Sequence, residues 1–223
     1  MNIENYTAYI ESGINLTSNS RNGIISIVST GLLSLLGVLM GFLMGGVGKN
    51  IAILMVVFFL LTNILYFIVY FMGHSVKNLL IEQLLIYIGW LIQFALIQTL
   101  AYYETFGWQW KILLFYLPLP VPSLIFGFIH SYMLKKDKPF SSGKIAFGKL
   151  LIIGAQAGFF GRYLAKVFMT DINPETGTLI VLTMFSATNL LMSLGLLNIQ
   201  KLYYYSKVKK YENTGDDSVC HGT

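Results

Sequence analysis

The feature of this sequence that most constrains its fold is an apolar stretch at residues 150–169, which reads LLIIGAQAGFFGRYLAKVFM. A helix that crosses a bilayer needs about 20 consecutive, mostly apolar residues, and this stretch has that length. Gly154, Gly158 and Gly161 recur along it at helical spacing. Because glycine has no side chain, this face is nearly bare backbone against which a second helix can pack closely. The stretch predicts a membrane-spanning helix that packs through its glycine face.

Five more stretches are long and apolar enough to cross a bilayer. They are residues 24–44, 51–72, 79–103, 112–134 and 178–199. Only 11% of the residues are charged, whereas soluble domains have about 25%. The predicted fold is therefore all-α, a polytopic bundle of six transmembrane helices within residues 21–202. The polar residues 1–20 are expected to be loosely ordered at the surface, and residues 203–223 to form a basic, then acidic, cytoplasmic tail.

Lysine and arginine are distributed unevenly along the chain. With six spans and both termini inside, 11 of the 15 lysines and arginines are cytoplasmic. Of the other four, Lys49 and Lys111 fall in outer connections, and Arg162 and Lys166 fall within a span. The positive-inside rule favours this orientation. The lysine-rich composition is typical of AT-rich bacterial genomes, so the predicted location is a bacterial cytoplasmic membrane. The net charge of +5 does not indicate a nucleic-acid partner, because the lysines flank apolar runs.

The fourth span contains three prolines at alternate positions, Pro118, Pro120 and Pro122. Each proline lacks a backbone donor and clashes with the preceding turn, and each favours extended backbone in the residue before it. A broken span is therefore predicted, with a helix in the inner leaflet and extended or irregular backbone in the outer leaflet. Such backbone is tolerated at that depth only where protein or a water-filled cavity covers it.

Arg162 and Lys166 lie in the outer half of the fifth span, in the same leaflet as the proline-rich interval, and Glu104 and Asp171 are the candidate acidic partners. Alternatively, Arg162 and Lys166 extend their charged ends to the outer interface. Charged side chains beside a discontinuous helix are typical of a transporter's binding site. We therefore predict an outward-facing pocket for an anionic ligand, with mid-depth amides at its floor. These amides are Gln156, Asn63, Gln93 and Asn189. Alternatively, the amides hydrogen-bond between helices and hold them together.

Two titratable residues lie near the inner ends of their spans, Glu82 in the third and His130 in the fourth. A Glu–His pair within a membrane can relay protons. The alternative is that both side chains reach from helix ends toward the headgroups.

The first span carries Gly37, Gly41 and Gly45 four residues apart, a pattern that lets helices approach closely. It predicts either an oligomer interface or packing within the chain, and packing within the chain is favoured.

Motifs for catalysis are missing from the sequence. It has no zinc-binding His-Glu-x-x-His pair and no Gly-x-Ser-x-Gly elbow, and GGVGKN lacks the spacing of a phosphate-binding loop. Cys220 is the single cysteine. We therefore expect no enzymatic activity, no cofactor and no metal.

Two functions fit this pattern. The first is a non-enzymatic accessory or immunity-type membrane subunit that acts through helix packing with a membrane partner, or with a second copy of itself. The second is a small-solute transporter or substrate-binding membrane subunit. The glycine faces favour the first function, and the broken fourth span with Arg162 favours the second.

Overall fold

The computed structural model describes residues 3–12, 19–73, 75–136 and 173–214, and this part of the chain is entirely helical. The helices are α1 Ile3–Glu11, α2 Asn19–Met44, α3 Gly46–Phe71, α4 Val76–Phe106, α5 Leu113–Tyr116, α6 Val121–Lys135, α7 Pro174–Met192 and α8 Leu197–Thr214. Short 3₁₀ helices precede α5 (Trp110–Ile112) and link α7 to α8 (Ser193–Leu196).

Five helical segments in this part of the chain are long and apolar enough to cross a membrane. They are Ile24–Met44, Gly46–Phe71, Val76–Phe106, Trp110–Lys135 and Glu175–Glu212. The structure thereby confirms the prediction of an all-α, multi-pass membrane protein. The predicted span at residues 150–169 lies outside the described residues.

Helices α2, α3 and α4 pack together around a shared apolar core. Leu33, Met55, Phe94 and Ile97 are buried in it. The chain turns between α2 and α3 at Gly45, whose φ of 66° lies in the left-handed region that glycine adopts without steric cost. These two helices are therefore antiparallel, as a short connection requires.

Helix α7 packs along the second half of α4. The hydroxyl oxygens of Thr105 and Thr178 are 2.8 Å apart, and Gln98 Nε2 donates to the carbonyl oxygen of Leu182 at 3.1 Å. Because Thr105 is near the end of α4 and Thr178 near the start of α7, these two ends lie side by side. The two helices run antiparallel.

A second core cluster lies at the other end of the bundle. It includes Tyr9 of α1, Leu80 of α4, Leu134 of α6, and Tyr204 and Val208 of α8. We call this the α1 end. The last turn of α6 is at the α1 end, whereas the first turn of α7 is at the opposite end.

The polar N-terminal segment is better ordered than the sequence analysis predicts. Residues Ile3–Glu11 form a helix whose Tyr6, Tyr9 and Ile10 are buried. These three residues are spaced i, i+3 and i+4, so they form one apolar face, and the expectation of loose order is wrong here. At the other terminus, α8 continues to Thr214, so the predicted tail begins inside a helix.

The proline-rich interval of the fourth span is a pair of tight turns. Leu119 N donates to Tyr116 O at 3.0 Å, and Val121 N donates to Pro118 O at 3.1 Å. Pro120 and Pro122 have no N–H for these two carbonyls, so the neighbouring N–H groups form shorter-range bonds instead. The α-helical pattern stops at Tyr116 and resumes at Val121. The sequence analysis predicts extended or irregular backbone here; Leu117 and Pro120 have α-helical rather than extended φ and ψ angles, and a span broken between the leaflets stays a prediction.

Candidate functional site

The mid-depth amides predicted to line a pocket are engaged between helices. Gln93 is buried, and its Nε2 donates to the carbonyl oxygen of Met55 on α3 at 3.0 Å. Asn189 is also buried, and its Nδ2 donates to Gln98 Oε1 at 2.8 Å. Gln98 in turn donates to Ser186 Oγ at 2.9 Å. These bonds join α4 to α3 on one side and to α7 on the other. A ligand-binding role for these amides stays a prediction.

Asn63, the third of the predicted amides within the described residues, lies apart from Gln93 and Asn189. It lines a small pocket between α2, α3 and α4, of about 20 Å³. Ser26, Thr30, Thr62 and Tyr66 line the same pocket. The sequence analysis did not identify these hydroxyl residues, although they recur at helical spacing on their spans.

The cationic part of the predicted outer pocket falls outside the described residues. This applies to Arg162, Lys166, Asp171 and Gln156, and to the glycine face of Gly154, Gly158 and Gly161. Glu104 is exposed near the end of α4, at the end of the bundle opposite α1.

Glu82 and His130 each have a described aromatic neighbour. Glu82 is 2% exposed on α4 and lies within electrostatic range of Tyr66 on α3. The imidazole of His130 packs against the ring of Tyr9, with 5.0 Å between ring centroids. Their predicted role as a proton-relaying pair stays a prediction.

The α1 end contains a polar network that the sequence analysis did not identify. Tyr9 Oη donates to Gln200 Oε1 at 2.7 Å. Gln200 Nε2 donates to Gly127 O at 2.8 Å and to Ser131 Oγ at 2.6 Å, and Ser131 Oγ is 2.9 Å from Tyr204 Oη. We call Tyr9, Ser131, Gln200 and Tyr204 the α1 anchor. The network joins α1, α6 and α8.

Lys201 adds a charged contact to the α1 anchor. Its ammonium group donates to the carbonyl oxygen of Ser12 just after α1 and lies 5.5 Å from the centroid of the Tyr9 ring. A cation near the C-terminus of a helix is favourable because the unpaired carbonyls there carry partial negative charge. Tyr9 itself is fully buried, and burial, together with nearby Tyr204, raises the pKa of its phenol.

The glycines of the first span have two different roles. A Cβ built on Gly41 is 2.5 Å from the carbonyl oxygen of Gly48 and 2.8 Å from Ala52 Cβ, both on α3, and one built on Gly37 collides with Met55. These two glycines therefore pack within the chain. Gly45 has no atom within 4 Å of such a Cβ and belongs to the turn.

Within residues 3–12, 19–73, 75–136 and 173–214, no three His, Cys, Asp or Glu side chains come together as a metal site. Comparison of the chain with protein-family models, with curated proteins and with solved structures found no match.

Proposed function

We propose that this chain is a non-enzymatic, multi-pass membrane subunit that acts by packing laterally against a membrane protein partner, as an accessory or immunity-type protein. The observation that carries this proposal is the exposed turn between α5 and α6. Leu117 is 70% exposed there, and Pro118 and Pro120 are also exposed.

The depth of this turn makes its exposure costly. Tyr116 Oη donates to the carbonyl oxygen of Ala95 at 2.8 Å, which sets the turn beside the middle of α4. Ala95 precedes the end of α4 at Phe106 by about 16 Å at 1.5 Å per residue. Non-helical backbone in the hydrocarbon region is tolerated only where protein or a water-filled cavity covers it, and we propose that a partner protein covers it here.

The rest of the fourth span supports the same conclusion. Only 11% of the most apolar window of Trp110–Lys135 is buried, compared with 22–44% for the other four spans. Leu124 and Phe128 of α6 are 67% and 76% exposed. We therefore place the partner's contact surface on α5, the turn and α6.

Site-directed photo-crosslinking in the native membrane tests this proposal. A photoreactive amino acid at Leu117 or Leu124 is expected to trap a second polypeptide, and the same amino acid at Leu35, which is 56% exposed on α2, is the matched control. Adducts with lipid alone, or cross-links only to residues 137–172 of the same chain, would contradict it. An adduct between two differently tagged copies would show that the partner at this surface is a second copy of the chain and not a different protein.

The finer topology is part of this proposal. We propose six spans, with residues 150–169 as the fifth and with both termini on the cytoplasmic side of a bacterial membrane. Leu134 lies at the α1 end of the bundle and Thr178 at the opposite end, which supports one further crossing between these two residues. Both α1 and the second half of α8 lie at the α1 end, which supports an even number of crossings in total.

A second candidate function is a small-solute transporter, with Arg162 and Lys166 at an outward-facing site for an anionic ligand. This candidate rests on the sequence pattern of Arg162 and Lys166 in the same leaflet as the proline-rich interval. Binding or uptake of a carboxylate solute is then expected to disappear in Arg162→Ala while the level of folded protein is retained. Unchanged uptake would remove Arg162 from the site.

A further inference from the structure

The pocket between α2, α3 and α4 has an unusual distribution of hydrogen-bonding groups. Thr62 Oγ1 donates to the carbonyl oxygen of Phe58 at 2.8 Å, and Thr30 Oγ1 donates to that of Ser26 at 2.9 Å. Asn63 Nδ2 donates to the carbonyl oxygen of Phe59 at 2.6 Å. Each of these side chains directs a hydrogen to the backbone of its own helix.

The oxygen atoms of the same side chains keep their lone pairs. Within the described residues, no donor reaches Thr30 Oγ1, Thr62 Oγ1 or Asn63 Oδ1. Trp90 Nε1 donates to Ser26 Oγ at 2.8 Å, which directs the indole to the α2 side of the pocket. The pocket therefore presents several acceptor oxygens, and its remaining donors include the Tyr66 hydroxyl and the second hydrogen of the Asn63 amide.

This imbalance favours a cation over water. A volume of about 20 Å³ is enough for one small species. A water molecule has two hydrogens and satisfies at most two of the three acceptors, whereas one cation is attracted to all of them. Hydroxyl and amide oxygens are hard ligands and suit hard cations.

Glu82, when ionised, gives the same region a negative charge, and a cation in the pocket would favour that ionised form. Glu82, Ile86 and Gly89 are spaced i, i+4 and i+7 on α4, so they share one face, and Ile86 and Gly89 line the pocket. The carboxylate is therefore on the pocket-facing side of α4, one turn from the lining. Sites for Ca²⁺ and Mg²⁺ take more charge from carboxylates than this pocket offers, so a monovalent ion is favoured.

We propose that this pocket binds one Na⁺ ion, with Thr30, Thr62 and Asn63 as oxygen ligands and Glu82 as the counter-charge. An ion held there joins α2 and α3 at mid-depth and gives the protein a Na⁺-dependent stability. The proposal does not depend on the partner at α5 and α6.

Equilibrium binding of ²²Na⁺ to the purified wild-type protein in nanodiscs is the primary test. We expect one ²²Na⁺ ion to bind per chain. Unlabelled Na⁺ is expected to displace it, whereas an equal concentration of K⁺ is not. Absence of saturable binding, or equal displacement by K⁺, would overturn the proposal whatever the variants do.

Variants then assign the site. Thr62→Val keeps the shape of the side chain and removes its oxygen, so we expect it to weaken Na⁺ binding about tenfold or more, and Glu82→Gln to do the same by removing the charge. Thr183→Val is the matched control, because Thr183 Oγ1 makes the same bond to the carbonyl four residues earlier, at 2.8 Å, on α7. Wild-type affinity in Thr62→Val would place the ion elsewhere and overturn this assignment. Thr62→Ser, which retains the oxygen, is expected to retain binding.

Discussion

At the scale of single residues, buried polar side chains link the helices of this protein. Within a bilayer the hydrophobic effect does not drive helices together, so packing and hydrogen bonds between helices are what hold them. Tyr9 is the clearest case, since its ring is buried against His130 and its hydroxyl is bonded to Gln200. The pair Gln98 and Asn189 links α4 to α7 in the same way.

Replacing Tyr9 with phenylalanine is expected to loosen α1. Tyr9→Phe retains the ring but removes the donor to Gln200 Oε1, which costs about 1–2 kcal/mol when the acceptor stays buried. Limited proteolysis in detergent is expected to cleave residues 3–12 faster than in the wild type. Tyr203→Phe is the control, because Tyr203 is 63% exposed. Equal cleavage rates in Tyr9→Phe and wild type would contradict the role given to this hydroxyl.

The same residue predicts a pH dependence. Burial raises the pKa of Tyr9 above the ordinary tyrosine value of 10.0, so the folded state favours the protonated phenol. The stability that this phenol contributes is fully present below pH 10 and is lost as pH rises above it. The difference in α1 protection between wild type and Tyr9→Phe is therefore expected to be constant up to about pH 10 and to shrink beyond it.

The Gln98–Asn189 pair predicts non-additive stability changes. Asn189→Leu leaves Gln98 Oε1 without its donor, so each single variant is expected to lose about 1–2 kcal/mol. In the Gln98→Leu, Asn189→Leu double variant both polar groups are removed together, so its loss is expected to be smaller than the sum of the two. Thermal unfolding of all four proteins measures this coupling, and strict additivity would show that the bond contributes nothing.

At the scale of elements, the α2–α3 hairpin depends on the close approach of two backbones at Gly41 and Gly48. The distance of 2.5 Å between a Cβ built on Gly41 and the carbonyl oxygen of Gly48 leaves no room for any side chain. The opposing atom is backbone, so it cannot rotate away. By contrast, the nearest atom to a Cβ on Gly31 is the ring of Phe59 at 3.3 Å, and a side chain can shift.

Gly41→Leu is therefore expected to separate α2 from α3 and to lower stability by about 3 kcal/mol or more, because overpacking of this size forces the backbone to move. Gly31→Ala is the matched control, with an expected loss below about 1 kcal/mol. The midpoint of thermal unfolding in detergent measures both. A Gly41→Leu protein as stable as Gly31→Ala would show that the two helices are not in contact at this position.

At the scale of the whole molecule, the bundle has two distinct ends, and cysteine accessibility tests their orientation. Because Cys220 is the only cysteine, Cys220→Ser gives a background without reactive thiols. Glu104→Cys and Glu175→Cys are expected to react with a membrane-impermeant maleimide in intact cells. Lys77→Cys and Glu212→Cys are expected to react only after permeabilisation. Labelling of positions 104 and 175 from opposite sides would contradict the six-span topology.

The sequence predicts the spans well because long apolar runs are a strong and local signal. Five of the six predicted spans coincide with helical segments that are long and apolar enough to cross a membrane. The α1 anchor is not predictable in the same way. The polar atoms of Tyr9 and Gln200 meet across 191 residues, and only the folded bundle brings them together. The turns of the proline interval are not predictable either, because the local preference of each proline does not reveal the i→i+3 bonds that its neighbours form.

The α1 anchor also has a consequence for the order of events during synthesis. The ribosome produces Gln200 191 residues after Tyr9, which at 5–20 residues per second takes about 10–40 s. Throughout this interval α1 lacks part of its docking surface, because Tyr204 and Val208 of the second core cluster have not yet been made. Docking of α1 is therefore among the last steps of assembly. A quality-control protease that cleaves undocked α1 would therefore distinguish chains that already contain α8 from nascent chains that do not.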